Sequence, residues 1–467
     1  MVGALSPRRR AAPPALLQAL SACLGARFTL NAGICEQHGR DESHHAPSAP
    51  DGVAFVESTE EVVSVVQACA RHGVPVVPFG AGTSLEGHVA ALHGGISVDC
   101  SRMNRVLRVS AADMDATVQA GVTRKALNAE LRDTGLFFPI DPGPDATLGG
   151  MAATRASGTN AVRYGTMREA VLGLTVVLAD GSIVHTGGRA RKSSAGYDLT
   201  RLFVGSEGTL GLITEVTLRL TPQPEASSVA TCDFDTVEGA VNSVIQLLQS
   251  GMPIARIELL DQLQMHAINR YSKLSYAERP TLFFEFHGSA ASVQEQAKLA
   301  GTIATEHGGG AFSWATTAEQ RSKLWQARHD ALYAAVALRP GGKAWPSDVC
   351  VPISELARCI VETQQDLATS TLPCPIVGHV GDGNFHVIFV VDPDLPAQMS
   401  EVARLNDRLV RRALACGGTC TGEHGIGWGK MDYLAMEHPS ALKAMRAIKH
   451  ALDPGGLFNP GKMMRSL

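Results

Sequence analysis

The 467 residues carry 41 Lys and Arg against 45 Asp and Glu, a net charge of −4, with 45% apolar and 18% charged residues. That length exceeds one ordinary core and implies roughly two or three domains. The charge balance, with no basic stripe interleaved with aromatics, excludes a nucleic-acid binder, and apolar runs such as Val387–Val391 fall far short of the roughly 20 residues of a membrane span. Peripheral membrane association stays open.

The ten cysteines are scattered singly apart from Cys416-x3-Cys420, and no CxxC occurs. Zinc-ribbon and ferredoxin frameworks are therefore not indicated, and most of the thiols read as small buried hydrophobes in a reducing compartment. The expected location is cytoplasmic or peripheral to an inner membrane, with the mitochondrial matrix less favoured. Arg8, Arg9 and Arg10, with no acidic residue before Glu36, weakly resemble a transit peptide. Pro13–Leu24 reads instead as a Pro-started first helix, and that reading is preferred.

After a lead containing His38, His44 and His45, an alternation of strands and helices begins. Val53–Val56 reads as a strand. Ser58 or Thr59 caps a helix running to about His72, and Val74–Pro78 is a second strand. It runs into Phe79-Gly80-Ala81-Gly82-Thr83-Ser84-Leu85-Glu86-Gly87-His88. A strand followed by a glycine loop suggests a phosphate-type site, but G-x-G-x-x-G fails at Leu85 and no P-loop motif occurs. Short strands at Ile96–Asp99, Val106–Val109 and Ala116–Ala120 lead to a helix over Thr123–Thr134 and to Leu136–Pro139.

Asp141–Thr166 is dense in Gly, Pro and small polar residues. It reads as a loop, too glycine-rich for a helix and too poor in bulky side chains for a core strand. Small residues let the backbone approach a ligand and present N–H groups to an anion, so the stretch is expected to cradle a large phosphorylated cofactor rather than to be a bland surface loop. A strand–turn–strand unit follows at Val171–Leu178 and Ile183–Thr186. A Gly-punctuated turn at Leu202–Gly211 and a strand at Ile213–Leu220 come next, and Thr221–Pro224 reads as a linker. Beyond it, helices at Val237–Gln249 and Ser292–His307 alternate with strands at Ile254–Leu260 and Thr281–Phe286. That change of texture marks a second, α+β domain.

Two Gly-rich turns carry candidate chemistry. Gly378-His379-Val380-Gly381-Asp382-Gly383-Asn384-Phe385-His386 reads as a hairpin whose two-residue turn is Asp382-Gly383, which would pair His379 directly with His386 on one face. Gly422-Glu423-His424-Gly425 would add a carboxylate and a base. Two His and one carboxylate with open positions is the pattern of a catalytic metal site. Arg328, on a probable helix, gains meaning only if the substrate is a carboxylate.

The ordered motifs PFGAGTSLEGH, PGPDATLGGMAATRASGTNAVRYGTMREAVLGL, FVGSEGTLGLITEVTLRL, GHVGDGNFH, GEHGIGWGK and LDPGGLFNPGKM resemble the FAD-dependent D-2-hydroxyacid dehydrogenases. The resemblance is nearest to the D-lactate dehydrogenase (cytochrome) type, in the vanillyl-alcohol-oxidase-like superfamily with PCMH-type FAD domains. It implies an α+β architecture: a lead segment over 1–47, a two-subdomain FAD domain over 48–224, and a substrate and metal domain over 225–467 with a C-terminal helical segment returning to the flavin.

By motif position, the resemblance implies that FAD, held noncovalently, contacts Pro78, Gly80, Ala81, Gly82, Thr83, Ser84, Gly87 and His88. Further along, it would meet Pro142, Asp145, Gly149, Gly150, Ser157, Gly158, Asn160, Tyr164 and Gly165, and then Glu207, Gly208, Gly211, Ile213 and Asn459. Zinc or manganese would sit on His379, His386 and Glu423, with His424 as base and Arg328 on the substrate carboxylate. Thr83-Ser84 occupies the region where covalent relatives carry a flavin-linking His.

The implied reaction is hydride transfer from C2 of a D-2-hydroxy acid to flavin N5. Quinone, cytochrome c and an electron-transfer flavoprotein are all compatible with the sequence as electron acceptor, and so is oxygen. Relatives that oxidise 2-hydroxy dicarboxylates carry a Lys two residues before the Asp of a D-x-x-[VL]-P segment. Here that segment is Asp348–Pro352, and Pro346 stands at the Lys position. D-Lactate is therefore favoured over D-2-hydroxyglutarate or glycolate, with Lys343 and Lys430 as substitutes to be examined. The non-flavin alternative is a metal-dependent hydrolase.

Overall fold

The computed structural model describes residues 11–315 and 317–465. The arginine run at 8–10 lies outside them. Pro14–Leu24 is a helix with proline in its first turn, and it buries Leu16, Leu20 and Leu24. The chain forms two compact units, one made of 1–157, 166–223 and 423–467, the other of 158–165 and 224–422.

The first unit holds two sheets. In the four-stranded one, Gly52–Phe55, Ile96–Asp99 and Val76–Phe79 run parallel, and Phe28–Thr29 pairs antiparallel at one edge. The helix Thr59–His72 packs there because Val62, Val65, Val66 and Cys69 recur at helical spacing on one buried face. It starts where the Ser58 hydroxyl accepts from Glu61 N, and it stops at Gly73 with φ +61°. The five-stranded sheet is antiparallel, in the order Val106–Ser110, Asp115–Gln119, Leu212–Arg219, Val171–Val177, Ile183–Gly187. The C-terminal segment returns to the first sheet: Val76 N donates to Leu457 O and Asn459 N to Val76 O, each at 2.9 Å.

Two expectations are corrected here. The stretch Asp141–Thr166 is not a loop throughout; it contains the helices Leu148–Thr154 and Ala161–Tyr164. Thr147 caps the first through Gly150 N, and Leu148, Gly149, Met151 and Ala152 are buried. A Cβ on Gly149 would lie 2.5 Å from Ala120 Cβ, so the small residues let this helix seat directly against the chain leaving a strand. The supposed linker also has structure, since Thr221–Pro222 pairs with Leu136–Phe137.

The second unit is built on an antiparallel sheet. Its main path is Ser313–Ala315, Ala226–Asp233, Thr281–Gly288, Ile254–Leu260, Ile376–His379, Asn384–Val391, Lys343–Pro346. The short strand Val349–Cys350 pairs with the start of Asn384–Val391. The helices Val237–Gln249 and Ala290–Glu306 pack against this sheet, and Leu356–Leu367 packs on Val237–Gln249. No helix among the described residues is long and apolar enough to cross a membrane. The ten cysteines are unpaired with one another, and seven of them are buried.

Candidate active site

In the second unit, the two histidines share a face, but not by the expected pairing. His379 lies opposite Asn384, and His386 lies opposite Val377. The turn therefore spans Val380–Gly383, closed by Asp382 N donating to His379 O. A slip of two residues preserves the face, because side chains alternate with period two. The rings end as diagonal neighbours, centroids 5.5 Å apart and nearly perpendicular. The neighbouring segment explains the slip: Val349 and Cys350 pair with Phe385 and Asn384, and Val351 N donates to Gly383 O.

Each imidazole is oriented through Nδ1. His379 Nδ1 lies 2.8 Å from Glu258 Oε1, and His386 Nδ1 lies 2.9 Å from the carbonyl of Ser347. A carbonyl and an ionised carboxylate can only accept, so both Nδ1 atoms carry hydrogen. Asp348, fully buried, accepts from Asn384 Nδ2 at 2.7 Å and from the Thr421 hydroxyl at 2.5 Å. Its Oδ1 is 3.7 Å from His386 Nδ1.

Arg328 is buried and does not stand alone. Its Nε and Nη2 both meet Glu258 Oε2, at 2.9 and 2.5 Å. Burial pushes the Glu258 carboxyl up, but His379 and Arg328 outweigh it and hold the group below the usual carboxylate range. Sequence reasoning missed Glu258, Asp348 as a partner in the site, and Asn384. The residues Gly158, Asn160, Tyr164 and Gly165, expected along the cofactor, group with this unit. Asn160 Oδ1 accepts from Arg256 Nε at 2.7 Å, and the Tyr164 hydroxyl lies 2.7 Å from His287 Nδ1.

The first unit gathers Pro78, His88, Glu207, Gly208, Asn459 and the loop that follows Glu423-His424. Glu207, with φ +53°, accepts Ile426 N at 2.7 Å and Gly427 N at 2.8 Å, and its carboxylate lies 3.1 Å from His88 Nε2. Burial works against both charges. Even so, each group holds the other in its charged form, and the two backbone N–H groups add to this: Glu207 lies below the carboxylate range and His88 above the usual imidazole value. Asn459 Nδ2 donates to the carbonyls of His88 and Glu207 at 3.2 and 2.9 Å. A Cβ on Gly425 would come within 2.7 Å of Glu207 Oε1, so the glycine lets the Glu423-His424 loop lie flat on this knot. Glu423 Oε1 and His424 Nε2 are 4.0 Å apart.

Several glycines here are required by protein packing. A Cβ on Gly80 would meet Thr147 Oγ1 at 2.3 Å, on Gly87 Trp428 Nε1 at 2.2 Å, on Gly208 Pro78 Cγ at 2.9 Å and on Gly211 Val176 Cγ1 at 2.7 Å. Ile213 belongs to the core of the five-stranded half, and Asp145 Oδ1 accepts Lys125 N. Pro142 and Gly150 are half-buried, and Ser157 groups with this unit.

Groups that fit an anionic cofactor remain. The N–H groups of Ala81, Gly82, Thr83 and Ser84 donate to no other described residue. Ser206 Oγ and His88 Nδ1 are buried without a hydrogen-bond partner among the described residues. A run of free backbone donors with buried polar side chains suits a diphosphate.

Comparison with known proteins decides the family. Residues 50–187 match the model "FAD binding domain", and residues 223–463 match "FAD linked oxidases, C-terminal domain". The chain belongs to the FAD-linked oxidases. It is accordingly an FAD-dependent oxidoreductase, which displaces the hydrolase alternative. It is 55% identical over 440 residues to a zebrafish (Danio rerio) protein named "Probable D-lactate dehydrogenase, mitochondrial", covering 93% of this chain and 88% of the other. It is 46% identical to the Arabidopsis thaliana "D-lactate dehydrogenase [cytochrome], mitochondrial", covering 97% and 80%. Among solved structures, p-cresol methylhydroxylase with substrate bound superposes with a TM-score of 0.79 at 18% identity over 96% of each chain. That likeness shows the fold: a PCMH-type FAD-binding unit with a second α+β unit.

Proposed function

We propose that this FAD-linked oxidase converts a D-2-hydroxy acid, D-lactate, to the 2-oxo acid, pyruvate. The observation that carries the site is the pair of histidines on one face of the hairpin, each oriented through its Nδ1–H. Such a donor set fits a divalent metal, zinc or manganese, with Glu423 as the third ligand. Chain connectivity supports that assignment: Thr421 is tied to Asp348, and Glu423 follows two residues later, within about 7 Å of Cα travel.

When bound, FAD supplies a hydride acceptor for C2, and the metal supplies a Lewis acid that lowers the pKa of the substrate hydroxyl. The residues do the rest. His424 takes the hydroxyl proton on an imidazole nitrogen. Nε and Nη2 of Arg328 are committed to Glu258, so its Nη1 edge would receive the carboxylate. The cofactor would be held without a covalent bond, and the N–H groups of Ala81–Ser84 would hold its diphosphate. A quinone, cytochrome c or an electron-transfer flavoprotein would be the electron acceptor. The name of the Arabidopsis relative includes a cytochrome. Such acceptors suit a protein peripheral to an inner membrane.

The choice of a monocarboxylate rests on Pro346. It pairs with Ile388 and so lies on the His386 face of the sheet. Neither lysine replaces it. Lys343 is exposed opposite Val391, about 16 Å along the strand from His386, and Lys430 is buried 3.1 Å from Glu86.

Anaerobic mixing of the flavoprotein with D-lactate, L-lactate, glycolate and D-2-hydroxyglutarate tests this reading. D-Lactate is expected to bleach the flavin fastest, and a flavin bleached faster by D-2-hydroxyglutarate refutes the substrate assignment. Pro346→Lys is expected to raise kcat/KM for D-2-hydroxyglutarate relative to D-lactate by about ten- to a hundredfold, since a charged partner then meets the second carboxylate.

A further inference from the structure

We infer that Glu258 is a positioning residue that couples the metal ligand His379 to the substrate anchor Arg328; the inference rests on the metal and carboxylate roles proposed above. Glu258 lies in the strand Ile254–Leu260, 1% exposed. That strand pairs Leu259 with Gly378 and Leu260 with Val377, and one further step of the register sets Glu258 beside His379. The carboxylate divides its oxygens. Oε1 takes the Nδ1–H of His379 at 2.8 Å, and Oε2 takes Nε and Nη2 of Arg328 at 2.9 and 2.5 Å.

An ion pair that merely tied a helix to the sheet would need no histidine. A carboxylate serving only the histidine would need no second oxygen engaged. Here one rigid group sets two things at once. It fixes the orientation of the His379 ring through Nδ1, and it fixes the guanidinium plane so that the Nη1 edge remains for a carboxylate. A 2-hydroxy acid presents its hydroxyl and carboxylate on adjacent carbons, so the two anchors must be set relative to each other, and Glu258 is the group that spans them. Orienting partners of this kind change metal affinity about 10- to 100-fold when removed.

The test uses FAD-loaded protein and reads zinc or manganese affinity by chelator competition together with KM and kcat for D-lactate. Glu258→Gln presents an amide NH2 to one of its two donors. Metal affinity is expected to fall about 10- to 100-fold and KM to rise by at least about fivefold. Arg328→Lys is expected to raise KM while metal affinity stays within about twofold. Glu258→Asp keeps the buried charge but shortens the arm by a methylene, so at least one of the two readouts moves about fivefold or more. This variant decides the matter if Glu258→Gln does not fold. Wild-type metal affinity and KM in a folded Glu258 variant, while His386→Ala loses the metal, overturn this inference alone. Unchanged metal affinity in His386→Ala overturns the metal reading and this inference with it.

Discussion

His424→Ala is expected to purify yellow, with FAD content equal to the wild type, and to reduce its flavin with D-lactate about 10²- to 10⁴-fold more slowly, the range for loss of a general base. Retention of FAD follows from the loop's construction. Glu207 holds the backbone N–H groups of Ile426 and Gly427, and those bonds do not involve the His424 side chain. Anaerobic stopped-flow measurement of flavin absorbance checks the rate, and the supernatant of denatured protein checks the cofactor. Reduction at the wild-type rate removes His424 as the base. Glu423→Gln, which keeps the shape and removes the charge, separates the metal ligand from the base, because added metal is expected to rescue it in part.

The second large effect is expected from Gly149→Val, which should lose FAD rather than turnover alone. A Cβ there meets Ala120 Cβ at 2.5 Å and the Ala120 carbonyl oxygen at 2.9 Å. Backbone cannot yield as a flexible side chain can, so the helix Leu148–Thr154 must shift outward. Overpacking of this kind costs about 1–3 kcal/mol. The shift is transmitted to the glycine loop, since Thr147, which caps that helix, is the atom-to-atom neighbour of Gly80. The flavin-to-protein absorbance ratio after gel filtration is expected to fall several-fold, with the residual protein folded by circular dichroism. Full FAD occupancy would show that this helix can move without disturbing the cradle.

These two variants express how the work is divided along the chain, and much of that division is legible in the sequence. Ser58 and Thr123 announce helices through side chains that accept from a backbone N–H three residues on. The strands at Ile96–Asp99 and Ile254–Leu260 fall where the apolar patterns put them. The hairpin register was not legible. Asp-Gly carries a strong local turn preference, yet Val349–Val351 claims Gly383–Phe385 from a distance in sequence, and the turn opens by two residues. Asp141–Thr166 misled for a similar reason. Its glycines read as absence of structure, whereas Leu148 and Met151 bury a helix whose small residues permit close seating.

Glu258 shows the other limit. In Ile254-Ala255-Arg256-Ile257-Glu258-Leu259-Leu260 the alternation assigns Arg256 and Glu258 to a solvent face. That face is instead buried and polar, with Arg256 meeting Asn160 and Glu285 while Glu258 meets His379 and Arg328. Periodicity reports which side chains share a face, not what covers it. Likewise, Glu207 and Asn459 sit in glycine-rich motifs that mark a cofactor site, but their side chains fasten loops of the same unit to one another. Their contribution to FAD binding would come through the backbone they hold in place.

The most direct measurement is anaerobic flavin reduction by D-lactate in protein as purified, after treatment with a chelator, and after return of zinc or manganese. Bleaching in the first sample, its loss in the second with FAD still bound, and its return in the third are the expected results. Full-rate bleaching in the metal-free protein, or an oxidised flavin in all three samples, would contradict the account.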